Sequence, residues 1–127
     1  MIIDSWFVSK ILNSTKTNRH STTIYPEFIP EGKVPPCFIY TSIGGSKNRL
    51  ERNKVFSLTC LHNTKSNVEA MNESAYNLFD TSTGYIRESS SNLYIDSVQI
   101  SENSVGGYDE INQYWYRVLD LSIWYHN

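Results

Sequence analysis

The sequence predicts an α+β fold in two layers, a mostly antiparallel sheet with two helices packed on one face, in the order α-β-β-β-α-β-β. Three observations carry this reading. Apolar residues recur at helical spacing in two segments, 3–13 and 66–80. Period-two alternation marks 37–43, 55–61, 93–101 and 114–125. The helical segments do not alternate one-for-one with the strands, which is the pattern of helices segregated beside an antiparallel or mixed sheet.

In segment 3–13, Ile3, Phe7 and Ile11 fall at i, i+4 and i+8, and Trp6, Val8 and Leu12 widen the stripe. Asp4 sits where a carboxylate favours a helix N-terminus. Residues 14–21 are polar and read as a connector. A short strand over 22–25 stops at Pro26. Pro30, Pro35 and Pro36 then forbid a regular ladder, so 26–36 reads as an extended loop. In strand 37–43, Cys37, Ile39 and Ile43 share one face and Phe38 and Tyr40 the other. Strand 55–61 alternates through Phe56, Leu58 and Cys60, and a loop over 44–54 joins the two.

The second helix begins with a serine and a glutamate three residues apart, Ser66 and Glu69, the signature of a capping box. Val68, Met71, Ala75, Leu78 and Phe79 form its apolar stripe, and Gly84 is placed as its left-handed stop. A weakly marked strand over 85–88 and a turn at 89–92 follow. The strand 93–101 passes into a loop over 102–113. The closing strand 114–125 puts Trp115, Leu119, Leu121, Ile123 and Tyr125 on one face. The other face is mixed; Asp120, amid apolar residues, reads either as a buried acid or, preferred, as a member of that polar face open to pairing across to a basic residue.

At 127 residues the chain is expected to form one domain, 1–127, with loops 44–54 and 102–113 protruding. A net charge of −2 with 19% charged residues does not fit a strong nucleic-acid binder or a membrane-surface protein. The N-terminal segment lacks the basic, apolar, small-residue succession of a signal peptide, and no apolar run is long enough to cross a membrane. A cytosolic chain is expected, with Cys37 and Cys60 as thiols. The nine Tyr and three Trp suit both strands and interfaces.

The pair Gly44-Gly45, followed by Ser46 and Lys47, raises the question of a phosphate-binding loop. Such a loop needs a helix N-terminus directly after the glycines. Here a strand follows, and the GxxxxGK[ST] spacing is absent, so the segment reads as a hairpin tip. Lys47, Arg49, Arg52 and Lys54 against Glu51 make that tip basic. Two readings of it stand: a solvated turn, or an arm that lies on a neighbouring subunit or faces a nucleic-acid channel. His20, His62 and His126 show no metal-ligand spacing, and two cysteines alone make no zinc framework. Cys60 and His62 point to one face of a strand, with the thiol in a core stripe. Asp109-Glu110 beside Gly106-Gly107 reads as a solvated turn. No catalytic, cofactor-binding or metal residue is assigned, and no enzyme is expected.

The order of elements carries a resemblance. A short N-terminal helix leads to the proline-punctuated segments Tyr25-Pro26-Glu27-Phe28-Ile29-Pro30 and Val34-Pro35-Pro36-Cys37-Phe38-Ile39-Tyr40. A charged hairpin follows, then strand 55–61 running into helix 66–80, and a Tyr-rich strand from Tyr116 to Trp124 closes the chain. Over most of its length this resembles the tail-completion (head–tail joining, tail-terminator) proteins of long-tailed bacteriophages. The longer 102–113 loop and the weak 85–88 strand depart from the pattern.

The resemblance implies a structural virion protein at the head–tail interface, made in the host cytoplasm. It would form a ring with copies of itself, usually a hexamer, on the tail-tube protein. The ring would meet the head connector or stopper and leave a channel through which DNA passes without sequence-specific binding. Gly44, Gly45, Lys47, Arg49 and Arg52, and Gly106, Gly107 and Tyr108, are then the candidates for contact with these partners. The alternative class is a small cytosolic α+β ligand-binding or catalytic domain, which would need a concave pocket with converging polar groups.

Overall fold

A computed structural model describes residues 3–43, 52–80, 88–90 and 93–126. The elements are α1 (Ile3–Asn13), α2 (Thr15–Asn18), β1 (Ile24–Pro26), β2 (Cys37–Ile43), β3 (Arg52–His62), α3 (Lys65–Phe79), β4 (Glu88–Ser90), β5 (Leu93–Asp109) and β6 (Tyr114–His126). The strands form one six-stranded sheet in the order β1-β2-β3-β6-β5-β4. All neighbours are antiparallel except β1 and β2, which are parallel. The α+β class read from the sequence is the observed one.

Alternation along each strand sorts its residues between two faces. On one, Phe38 and Tyr40 of β2 stand beside Phe56, Leu58 and Cys60 of β3, then Leu119, Leu121 and Ile123 of β6, then Ile95, Val98 and Ile100 of β5. The helices cover this face. The ring of Phe7 on α1 stacks at 4.2 Å on Phe56 and at 5.4 Å on Phe79 of α3, so one side chain ties both long helices to the sheet. Val68, Met71, Ala75 and Leu78 of α3 complete the same core. Fully burying such side chains contributes about 1.5–3 kcal/mol each, which makes this layer the main source of stability.

Several sequence-based boundaries move. The connector 14–21 contains a further helix, α2: Ser14 caps it by accepting from the Lys16 amide at 3.2 Å. Thr17 and Asn18 then donate to the last carbonyls of α1, those of Ile11 and Leu12. Local side-chain bonds of this kind leave no apolar period to read. The first strand is 24–26, not 22–25, and includes Pro26; β1 is an edge strand, where the missing amide costs no ladder bond.

The α3 cap is Thr64, two residues before the expected Ser66; its Oγ1 accepts from the Asn67 amide at 3.3 Å. Ser66 and Glu69 therefore form no capping box. Expected turn residues Ser89 and Ser90 lie in β4, and Gly84 lies outside the described residues.

Two expected loops prove to be strand in part. β3 begins at Arg52, because β6 continues opposite it: Arg52 pairs with Tyr125, Asn53 with Trp124 and Lys54 with Ile123. Lys54 lies 3.8 Å from Asp4 of α1, so this cation belongs to the covered face. β5 runs through to Asp109, where 102–113 read as loop. Register shifts at Ile95/Ser97, Ile100/Glu102 and Glu102/Val105 absorb its irregular sequence.

Candidate protein-interaction surface

The second face of the sheet has no helix on it among the described residues. Ile39 and Thr41, Val55, Ser57 and Thr59, and Tyr116, Val118, Asp120, Ser122 and Trp124 line it half-buried, whereas Cys37 and Leu61, on the same face, are buried. Asp120 stands opposite Ser57 and Glu102, so the expected basic partner across the strand is not there. At one end the Ile95/Ser97 register shift frees Asp96 from the ladder, and its carboxylate lies 2.8 Å from Nδ1 of His126. Tyr94 stacks on that imidazole at 4.9 Å.

At the other end β5 and β6 close in a hairpin, the arm, which stays beside β3 as far as the His62–Trp115 pair and passes it only at the 109–114 turn. Gly106 lies opposite Arg117 and Gly107 opposite Tyr116. A Cβ on Gly106 would fall 2.3 Å from Cδ of Arg117 and 2.8 Å from the Tyr116 carbonyl oxygen, so the bare glycine lets the arginine stem cross the strand. The Tyr116 ring lies over Gly107, its hydroxyl 3.2 Å from where a Cβ would sit. Tyr108 packs on Trp115 at 4.9 Å, and Lys65 of α3 reaches over the same indole. Gly106, Gly107 and Tyr108 are thus arm residues, not members of a loop.

The tip of the arm is held by Asp109. Its Oδ1 accepts from the amides of Ile111 and Asn112, and its Oδ2 from the Asn112 side chain, all at 3.0 Å. Those bonds hold its carboxyl below the ordinary range. Burial pushes the neighbouring Tyr114 phenol up, and the Asp109 carboxylate adds to the effect. The turn presents Ile111 at 93% exposure.

Beside the tip lies the proline segment, which turns at 30–33 with Gly32 at φ 83 and the Lys33 amide donating to the Pro30 carbonyl. Phe28, Pro30, Val34 and Pro35 face Asn112 and Tyr114 across a cleft of about 500 Å³. Phe28 is 68% and Val34 76% exposed. Large apolar groups left in water around one cleft mark a contact surface more readily than scattered ones do.

Of the other candidates, Gly44, Gly45, Lys47 and Arg49 lie outside the described residues, and Arg52 is an exposed strand residue opposite Tyr125. Burial pushes the Cys37 thiol up to about 11 and the Cys60 thiol higher still. Both are free and buried, so neither supplies a thiolate near neutral pH. Among the described residues no group of three His, Cys, Asp or Glu could hold a metal. No helix among them is long and apolar enough to cross a membrane.

Sequence reading missed the Phe28/Val34 side of the cleft, because exposure of an apolar residue in a proline segment has no periodic signature. It also missed the contact of His20 with Ser74, which are 54 residues apart. No protein-family model matches the chain, and no curated protein matches it.

Proposed function

We propose that this protein is a structural assembly subunit, one copy of a ring at the top of a phage tail tube that ends the tail and receives the head connector. The observation that carries the reading is the uneven dressing of the sheet: helices on one face, half-buried aromatic and β-branched residues on the other. The resemblance in element order supplies the particular assembly.

A sheet face with no described helix on it, the tip of the β5–β6 arm and the exposed apolar cleft beside that tip are distinct surfaces open to contact. Surfaces of that kind suit heterologous contacts, in which one patch of a subunit meets a different patch of the next and a ring closes. In this reading the open face and the arm contact neighbours and the tube, and DNA passes through the central channel without base readout. This reading assigns the chain no enzymatic role, and the two buried thiols are poor nucleophiles.

The cleft favours one second reading, a small ligand-binding domain with Lys33, Glu31 and Tyr114 as its polar groups. Electron microscopy of particles assembled without the protein separates the two. Overlong tails, or heads and tails left unjoined, are expected. Normally joined particles of ordinary tail length would overturn the assembly role.

A further inference from the structure

One polar cluster lies away from both the open face and the arm. The chain leaves α2 at Arg19 and passes His20, which meets α3: His20 Nε2 lies 2.9 Å from Oγ of Ser74. Arg19 donates twice, from Nη2 to Ser74 Oγ at 3.1 Å and from Nε to His20 Nε2 at 3.3 Å. His62 ends β3, where its Nδ1 accepts from the Asn63 amide at 2.8 Å, and a charge on it disfavours a proton on His20. Ser74 is only 5% exposed, whereas Arg19 is open to solvent. Among the described residues no ion pair joins Arg19 to a carboxylate.

The convergence is lopsided in charge. One permanent cation, one imidazole and one hydroxyl are hydrogen-bonded to one another where α2 and α3 come together. A second imidazole at the end of β3 bears on the first electrostatically, and among the described residues nothing anionic is paired to the three. An imidazole nitrogen that accepts from Arg19 must be unprotonated. Burial, and for His20 also Arg19 and His62, holds both rings toward the neutral form. Each ring is therefore one proton away from being a further cationic donor.

We propose that Arg19, His20, His62 and Ser74 bind a tetrahedral dianion of the phosphate class, either free or as a monoester. The guanidinium fork matches two oxygens of such an anion, and its exposure lets it turn from Ser74 and His20 toward a ligand. The Ser74 hydroxyl donates to a third oxygen. The imidazoles take up protons as the anion arrives, since an opposite charge nearby favours their charged forms. Arg19 from its own segment and the uncharged Ser74 from α3 bond to His20, and His62 of β3 adds only positive charge, so nothing acidic among them opposes the ligand. This site is independent of the ring proposed above.

The test is a nuclear magnetic resonance titration of the full chain with inorganic phosphate, with glycerol phosphate and with sulfate, read at the histidine rings. Saturable shifts are expected at His20 and His62 and not at His126, which lies against Asp96. Sulfate keeps its charge between pH 8 and pH 6, so tighter sulfate binding at pH 6 reports the imidazole protons. Arg19→Gln, a surface change that leaves the core intact, is expected to weaken binding at least about tenfold, the loss of one charge-assisted bond. Arg19→Lys is expected to fall between.

Tighter binding of glycerol phosphate than of phosphate would assign the site to a monoester, and equal binding to the free anion. Failure of the shifts to saturate at millimolar anion, equal shifts at His126, or unchanged affinity in a folded Arg19→Gln protein would each overturn the site.

Discussion

The same strands present two unlike surfaces. Phe56, Leu58 and Cys60 are fully buried beneath the helices, whereas their chain neighbours Val55, Ser57 and Thr59 are half-buried on a face that no described helix covers. Leu119 and Leu121 differ from Val118, Asp120 and Ser122 in the same way. Because strand side chains alternate strictly, each residue contributes to one task only. One face holds the fold together; on the other, Cys37 and Leu61 are buried and most of the remaining described side chains are half-buried. Trp124, Tyr116 and Tyr94 stand on the side away from the helices.

The comparison predicts unequal mutational costs. Phe56→Ala removes the ring on which Phe7 stacks and is expected to cost about 3–5 kcal/mol in urea denaturation. Thr59→Ala, three residues along and on the open face, is expected to cost less than about 1 kcal/mol. Equal costs would break the distinction between the faces.

Gly106→Ala tests the arm. The new Cβ meets the Tyr116 carbonyl at 2.8 Å as well as the Arg117 stem, so a loss of about 1–3 kcal/mol is expected by thermal unfolding. Adding Arg117→Ala relieves only the side-chain part of that clash. Thr64→Ala removes the α3 cap, at an expected cost of about 1 kcal/mol by the same measurement.

The smallest effect lies at the margin of the covered layer. His20 and His62 lie below the ordinary histidine value of 6.5 in the folded chain, through burial first. The unfolded chain therefore binds more protons as pH falls below about 6.5, and stability declines in that direction. Urea midpoints measured from pH 8 down to pH 5 are expected to fall, and the double change His20→Gln with His62→Gln to flatten the slope.

Much of the covered layer was legible in the sequence. Ile3, Phe7 and Ile11 announce a helix by spacing alone, and Trp115 to Tyr125 announce a strand with its buried side. The arm was not legible. Its residues include Gly106 and Gly107, which read as a turn because local propensity sees only a missing side chain. Gly106 is in the strand because Arg117 needs the space across from it, a demand made twelve or fewer positions away by pairing and invisible in composition. Arg52 and Lys54 misled in the same manner: charge suggested a loop, whereas β6 opposite them extends the ladder. The Arg19, His20, His62 and Ser74 cluster had no linear trace at all, since three separate elements supply it.

The claim that the open face is a contact surface is tested most directly by sedimentation velocity of the wild-type chain and of Trp124→Asp at rising concentration. Reversible association beyond a dimer is predicted for the wild type. The variant should stay monomeric while keeping wild-type circular dichroism. A wild-type chain that stays monomeric at the highest concentrations, a permanently closed dimer, or unaltered association of the variant would contradict it.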